Sequence, residues 1–266
     1  MVWGASSRIE VHGHRGARAV RPENTMPAFT YAIDSGVDVL ELDLAVTRDN
    51  VLVVSHDARM NPAYCSGPAG STNVIREMTM AELQRWDCGA RANPAFPKQV
   101  AVPGTRVPAL DDVLALASKG RFHFNIETKI FAKEPQLTPP PEEFARLLAE
   151  ALQRHKVVER TIVQSFDFRT LHAMKKLLPQ VRLSALYAGM PRDFVEVAKE
   201  AGAGIISPHY TLITPEQVRR AHVAGLRVVP WTANTTEDWK RLADAGVDAI
   251  ITDDPAELIA YLKTRR

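Results

Sequence analysis

Short apolar, β-branched runs alternate with helix signals along almost the whole chain, and this alternation restricts the fold more than any other feature. The runs are Ile9–Val11, Val37–Val46, Val51–Ser55, Phe122–Ile126, Thr161–Val163, Val181–Leu186, Gly204–Ile206, Arg227–Trp231 and Ala249–Thr252. Thr25 is placed to cap a helix through Ile33, Pro141-Glu142-Glu143 opens one reaching about His155, and Pro191, Pro215 and Thr235 mark further starts. Gly36, Gly202, Gly225 and Gly246 sit where helices should end. Strands alternating with helices of this length predict an α/β protein with a parallel sheet.

Nine runs are one more than an eight-stranded barrel needs. Only the turn around Arg48-Asp49-Asn50 separates the second from the third, too little chain for a parallel crossover, so these two should form an antiparallel hairpin. Eight parallel strands remain, and a length of 266 residues suits a TIM-type (β/α)8 barrel of about 250. In such a hairpin Glu41 and Asp43 share one face, and His56 should fall opposite one of them.

Residues 58–108 interrupt the alternation. They are rich in Pro, Gly, Asn and Ala, with one helical stretch at Thr79–Trp86, and a structureless loop of that length would be unusual. They read as an insertion capping the C-terminal face of a single barrel domain spanning 1–266. Cys65 and Cys88 lie inside it, and their spacing is equally compatible with two free thiols and with one bridge. Lys133–Pro141 reads as a solvent-exposed, proline-rich loop.

The 33 basic and 31 acidic residues leave a formal charge of +2, which argues against nucleic acid or an anionic membrane surface as the main partner. No apolar run is long enough to span a bilayer. Met1–Arg8 is too short and too polar for a secretory signal, which leaves cytoplasm and periplasm both open, as is a homodimer.

Residues that could carry chemistry gather where barrel strands end, the face on which such folds place their sites. Glu41-Leu42-Asp43 sets two carboxylates on one side of an apolar strand. That costs free energy without a cation, and carboxylate oxygens suit Mg²⁺ or Ca²⁺. Asn125, Glu127 and Lys129 share a face of another strand and add a third carboxylate and a positive charge. His14-Arg15-Gly16 follows the first strand: a histidine to move a proton, an arginine to grip a phosphate, and a glycine to turn the backbone or approach a ligand. Taken alone this tripeptide also reads as a surface turn. His56-Asp57 supplies a second histidine, and Trp231 an apolar wall. His12, one layer deeper than His14, reads as a satisfied core histidine, while His209 is compatible with rim packing and with substrate contact.

These residues fall into blocks that resemble the glycerophosphodiester phosphodiesterases. The blocks include His14-Arg15-Gly16-Ala17, Pro22-Glu23-Asn24-Thr25, Glu41-Leu42-Asp43-Leu44 and Val53-Val54-Ser55-His56-Asp57. Asn125-Ile126-Glu127-Thr128-Lys129, Gln164-Ser165-Phe166-Asp167, Val229–Asn234 and Gly246–Pro255 continue the series in family order. The resemblance implies one divalent cation, Ca²⁺ or Mg²⁺, held by Glu41, Asp43 and Glu127. It implies His14 as general base, His56 as general acid, Arg15 and Lys129 on the phosphate, and Trp231 along the glycerol. The implied reaction is attack by the substrate's own glycerol hydroxyl, passing through a cyclic phosphate to glycerol 3-phosphate and an alcohol. Asn61-Pro62-Ala63-Tyr64-Cys65 departs from the family's usual segment after His-Asp and bears on head-group preference. Asn50 replaces a frequent glycine and should tolerate positive φ. Lysophospholipase D or sphingomyelinase D-like action on lipid head groups, and a non-catalytic barrel that binds phosphate esters, are the competing readings.

Overall fold

The computed structural model describes residues 8–265; Met1–Ser7, which make up most of the stretch read as no signal, lie outside the described residues. The strands are β1 (Glu10–Gly13), β2 (Val39–Val46), β3 (Leu52–Val54), β4 (His123–Thr128), β5 (Thr161–Ser165), β6 (Arg182–Tyr187), β7 (Ile205–Pro208), β8 (Arg227–Val228) and β9 (Ala249–Thr252). The helices are α1 (Met26–Asp34), α2 (Met80–Leu83), α3 (Leu110–Leu114), α4 (Pro141–Arg154), α5 (Phe168–Leu177), α6 (Phe194–Ala201), α7 (Pro215–Val223), α8 (Thr236–Asp244) and α9 (Pro255–Thr264).

All strands but β3 are parallel, in the order β8-β7-β6-β5-β4-β2-β1-β9, and β3 pairs antiparallel with β2 outside that path. Hydrogen bonds from Ile251 N to Pro230 O and from Ala233 N to Ile251 O, 3.0 and 3.1 Å long, join the two ends of the order and bring the barrel to near closure. The eight-strand barrel with one hairpin arm is thus the fold that strand counting predicts. Run β8 is shorter than its apolar stretch because Pro230 has no N–H for the ladder; Trp231 N rejoins the neighbouring strand through Pro208 O at 3.1 Å.

The main apolar core lies between barrel and helices. The outward faces of the strands (Leu40, Leu42, Leu44, Phe124, Ile126, Val163) meet the buried faces of the helices (Phe29, Phe144, Leu148, Leu171, Val197, Leu242). Period-2 alternation then turns Glu41, Asp43, Asn125, Glu127, Gln164, Ser184 and Ser207 to the other side, where all are buried. The barrel interior is therefore polar toward its C-terminal end, and only a small apolar cluster around Ile162, Ile205, Val229, Ala249 and Ile251 fills it.

Several local expectations are corrected. The β2–β3 register pairs Leu44 with Val54 and Val46 with Leu52, and Ser55 N donates to Asp43 O at 3.0 Å. Ser55, not His56, therefore stands opposite Asp43, and His56 lies beyond the ladder where the chain leaves the sheet. Thr25 is at the N-cap of α1, but its hydroxyl donates to Pro22 O instead of capping the helix. The cap of α6 is Asp193, whose carboxylate accepts from Val195 N; Pro191 lies outside the helix. The Lys133–Pro141 loop is exposed only in part: Leu137 is buried with Ala58 and Val74, tying the loop to the insertion. Asn50 does adopt positive φ, at 60°.

The insertion has its own small core of Met60, Cys65, Ile75, Met78, Leu83, Trp86, Cys88 and Val107, seated on Ala45 and Val53 of the hairpin. Cys65 and Cys88 are joined in a disulfide. The two ends of the insertion meet at its base, where Val54 N donates to Pro108 O at 3.0 Å and Val53 bridges to Ala109. Among the described residues, no helix is long and apolar enough to cross a membrane.

Candidate active site

The C-terminal ends of β1, β2, β4, β5, β8 and β9 surround a cleft of about 190 Å³. Its lining includes His14, Arg15, Glu41, Asp43, His56, Glu127, Lys129 and Trp231, joined by Gln164, Arg18 and Phe166, while Asn125 and His209 are not part of it.

The carboxylates share donors from the ends of β1, β4 and β5 and from the turn before α1. Glu41 Oε1 accepts from Gln164 Nε2 and Oε2 from the Arg15 backbone N–H, both at 2.8 Å. Asp43 accepts from Asn24 Nδ2 at 2.9 Å and faces Lys129 Nζ at 3.0 Å and Arg15 Nε at 3.3 Å. Glu127 Oε1 is 2.8 Å from Lys129 Nζ. One oxygen of each carboxylate lies within 4.8 Å of the others, all three groups are buried, and among the described residues no other set of this kind occurs.

Three buried carboxylates lie beside buried Arg15 and partly buried Lys129, and burial together with these charges sets their titration. Burial, then the charge of Asp43, raises the Glu41 carboxyl well above its usual range. Burial likewise lifts Glu127 to about 7, although Lys129 opposes it. Burial also works against ionised Asp43, but Lys129 and Arg15 outweigh it and hold that carboxyl well below the usual range. Lys129 is raised because the two carboxylates outweigh its desolvation. An additional cation among these oxygens would oppose the burial and like-charge costs that raise Glu41 and Glu127.

The turn after β1 explains how His14 and Arg15 are aimed. Arg15 and Gly16 both have positive φ, at 51° and 83°, which swings the Arg15 N–H onto Glu41. A side chain on Gly16 would put its Cβ 2.8 Å from the Ala28 carbonyl carbon. The glycine therefore serves both the turn and the close packing against α1. Glu23 Oε1, from the same turn, accepts from Arg15 Nη1 at 2.6 Å.

Both cleft histidines carry an aspartate on Nδ1: Asp253 on His14 at 2.6 Å and Asp57 on His56 at 2.7 Å. Burial pushes the His14 imidazole down to about 4 despite the opposing charge of Asp253. His12 is fully buried, with Asn125 Nδ2 3.5 Å from Nδ1 and Nε2 facing Glu10 Oε2 at 3.9 Å, beyond hydrogen-bond length. His209 bonds Thr211 Oγ1 at 2.7 Å and packs edge-on against Trp231, on the rim.

Gln164, Asn24, Glu23 and Asp253 also hold the site together; all four lie in the blocks that resemble the family, but the sequence alone does not point to the contacts they make. Gln164, at a strand end, is by itself as compatible with rim packing as with substrate contact, and the partners of the other three come from distant parts of the chain or from across the turn.

Comparison with known proteins agrees with this geometry. The Glycerophosphoryl diester phosphodiesterase family model matches residues 14–257. A glycerophosphodiester phosphodiesterase of Caldanaerobacter subterraneus is 34% identical, with 95% of this chain and 97% of the relative aligned. One from Bacillus subtilis is 31% identical over 93% of this chain and 84% of its own length. A crystal structure from Silicibacter pomeroyi superposes with a TM-score of 0.90 at 30% identity, covering 98% of this chain and 95% of the other. The chain is an enzyme and belongs to the glycerophosphoryl diester phosphodiesterase family.

Proposed function

We propose that the protein uses a divalent cation and two histidines to hydrolyse small glycerophosphodiesters such as glycerophosphocholine and glycerophosphoethanolamine, releasing glycerol 3-phosphate and the alcohol. The observation that carries this reading is the convergence, in one cleft, of a buried all-oxygen carboxylate triad with two histidines whose Nδ1 atoms are both engaged. The donor set fits a hard cation, Mg²⁺ or Ca²⁺: it offers only oxygens, and the triad carries more negative charge than its neighbours offset. Glu41, Asp43 and Glu127 would hold the ion, which when bound supplies positive charge to the phosphoryl oxygens.

The protein's own groups do the rest. Arg15 and Lys129 orient the phosphate and stabilise the charge that grows on its non-bridging oxygens. His14, neutral near pH 7 because its imidazole is depressed to about 4, accepts the proton of the substrate's glycerol hydroxyl as that oxygen attacks phosphorus. The bond from phosphorus to the head-group oxygen breaks, and His56 gives that oxygen a proton. Water then opens the cyclic phosphate with the two histidines exchanging roles, leaving glycerol 3-phosphate. Trp231, with Phe166 edge-on at 5.4 Å, forms an apolar wall for the glycerol carbons. Residues 1–266 act in this reading as one catalytic barrel, with residues 58–108 shaping the approach to His56; Asn61, Tyr64 and Cys65 lie beside it.

The test is coupled detection of glycerol 3-phosphate from glycerophosphocholine with and without EDTA, run beside lysophosphatidylcholine. Turnover should vanish on chelation and return with Mg²⁺ or Ca²⁺. Glu41→Ala and His14→Ala should each lose at least about 100-fold. Undiminished turnover in EDTA would refute the metal, and preference for the lysolipid would favour lysophospholipase D action.

A further inference from the structure

We infer that Asp253 is the positioning residue that fixes the His14 imidazole as its Nδ1–H tautomer, with the Nε2 lone pair turned into the cleft. This rests on the reading of His14 as the proton acceptor.

The sheet brings the two residues together. β1 and β9 run parallel with Gly13 opposite Thr252, so His14 and Asp253 each come next after a paired residue and leave neighbouring strand ends at one level. The His14 N–H donates to Thr252 O at 2.8 Å, which fixes that level. The contact between Nδ1 and Oδ1, at 2.6 Å, is buried.

Asp253 is itself immobilised. Oδ1 also accepts from Arg18 Nε at 2.7 Å, Oδ2 accepts from Asn234 Nδ2 at 2.7 Å, and its backbone N–H donates to Asn234 Oδ1 at 2.9 Å. Its side chain is only 3% exposed. Every other partner of this carboxylate is a donor, so the group is an ionised acceptor and Nδ1 must bring the hydrogen. A neutral ring so held keeps its lone pair on Nε2, the nitrogen 4.0 Å from Glu41 Oε2. The opposite tautomer would present an N–H where the reaction requires an acceptor. The same carboxylate would also stabilise the imidazolium formed once Nε2 takes a proton. His56 has a looser counterpart, since its side chain and that of Asp57 are 35% and 44% exposed.

The experiment joins ring-nitrogen NMR to kinetics on the full-length protein. The ¹⁵N signals of His14, assigned by their loss in His14→Ala, should report a single Nδ1–H tautomer in the wild type and a mixture or reversal in Asp253→Asn. On glycerophosphocholine with saturating Mg²⁺, Asp253→Asn and Asp253→Ala should lower kcat about 100-fold with KM changed less than about threefold. The double variant His14→Ala/Asp253→Ala should be no slower than His14→Ala. The near-isosteric Asp253→Asn keeps the comparison valid should the alanine variant fail to fold. An unchanged tautomer in Asp253→Asn, or losses that multiply in the double variant, would overturn the positioning role. Full turnover in His14→Ala would instead overturn the proton-acceptor reading, and is told apart because it appears without touching Asp253.

Discussion

Replacing Glu127 with glutamine should make the metal-free protein more stable at neutral pH, although it damages the site. The glutamate titrates at about 7 in the fold against an ordinary 4.5, because it is buried beside Asp43. A carboxyl raised on folding stabilises the native state fully below its unfolded value, and that stabilisation is lost as pH rises through the folded value. At 1.36 kcal/mol per pH unit, the interval from 4.5 to about 7 corresponds to about 3 kcal/mol. Glutamine does not titrate, so in EDTA the stability of Glu127→Gln relative to wild type should climb by that amount between pH 4.5 and 8. For a chain of this size the change is a relative rise in Tm on the order of 10 °C. The difference is the useful quantity, because the wild-type curve also bends the opposite way: His14, depressed to about 4, withdraws stability as pH falls from 6.5 through that value. Thermal melts of both proteins across this range are the assay, repeated with excess Mg²⁺ or Ca²⁺, which should raise the wild type and narrow the gap at pH 8. A wild-type-to-variant difference that stays constant from pH 4.5 to 8 would refute the buried-charge argument.

Other perturbations separate the parts of the site. Gln164→Ala removes the amide donor of Glu41 and should weaken Mg²⁺ or Ca²⁺ binding about 10- to 100-fold by calorimetry without unfolding the barrel. Gly16→Ala forces a side chain into the α1 backbone at positive φ and should cost more than about 1 kcal/mol in urea unfolding, well beyond a surface alanine. Cleaving the Cys65–Cys88 bridge, which spans 23 residues, should cost about 3 kcal/mol by loop entropy, read as a lower Tm in dithiothreitol; a Tm indifferent to reductant would contradict it.

The barrel was legible because its signals are periodic and local. Each parallel strand announced itself by an apolar run, and the short turn after Val46 identified the one strand that had to run antiparallel. The triad was legible for the same reason: Glu41 and Asp43, like Glu127 and Lys129, are two residues apart on buried strands, and alternation alone sends them inward. What was not legible depends on register or on distant partners. A one-residue difference placed Ser55 where His56 was expected, and turn length does not fix that count. Asp253 meets His14 across 239 residues, and Gln164 meets Glu41 across 123. Their blocks resemble the family, but nothing local says which side chain either would meet. The cysteine pairing was hidden because it closes an irregular segment whose path no period describes.

The hairpin arm has a practical bearing on how the enzyme can diversify. A cover hung from two mobile loops can swing, but β3 is laddered to the strand that carries Glu41 and Asp43, so this flank is an extension of the wall. Yet the insertion leaves and re-enters at neighbouring points, with Val54 hydrogen-bonded to Pro108. Residues 58–108 therefore form a block closed at its base and tied elsewhere to the barrel by a few contacts, such as Val100 N to Val20 O and Arg59 to Glu134. On the function proposed above, exchanging that block should change head-group preference while the strands around the cleft keep their register.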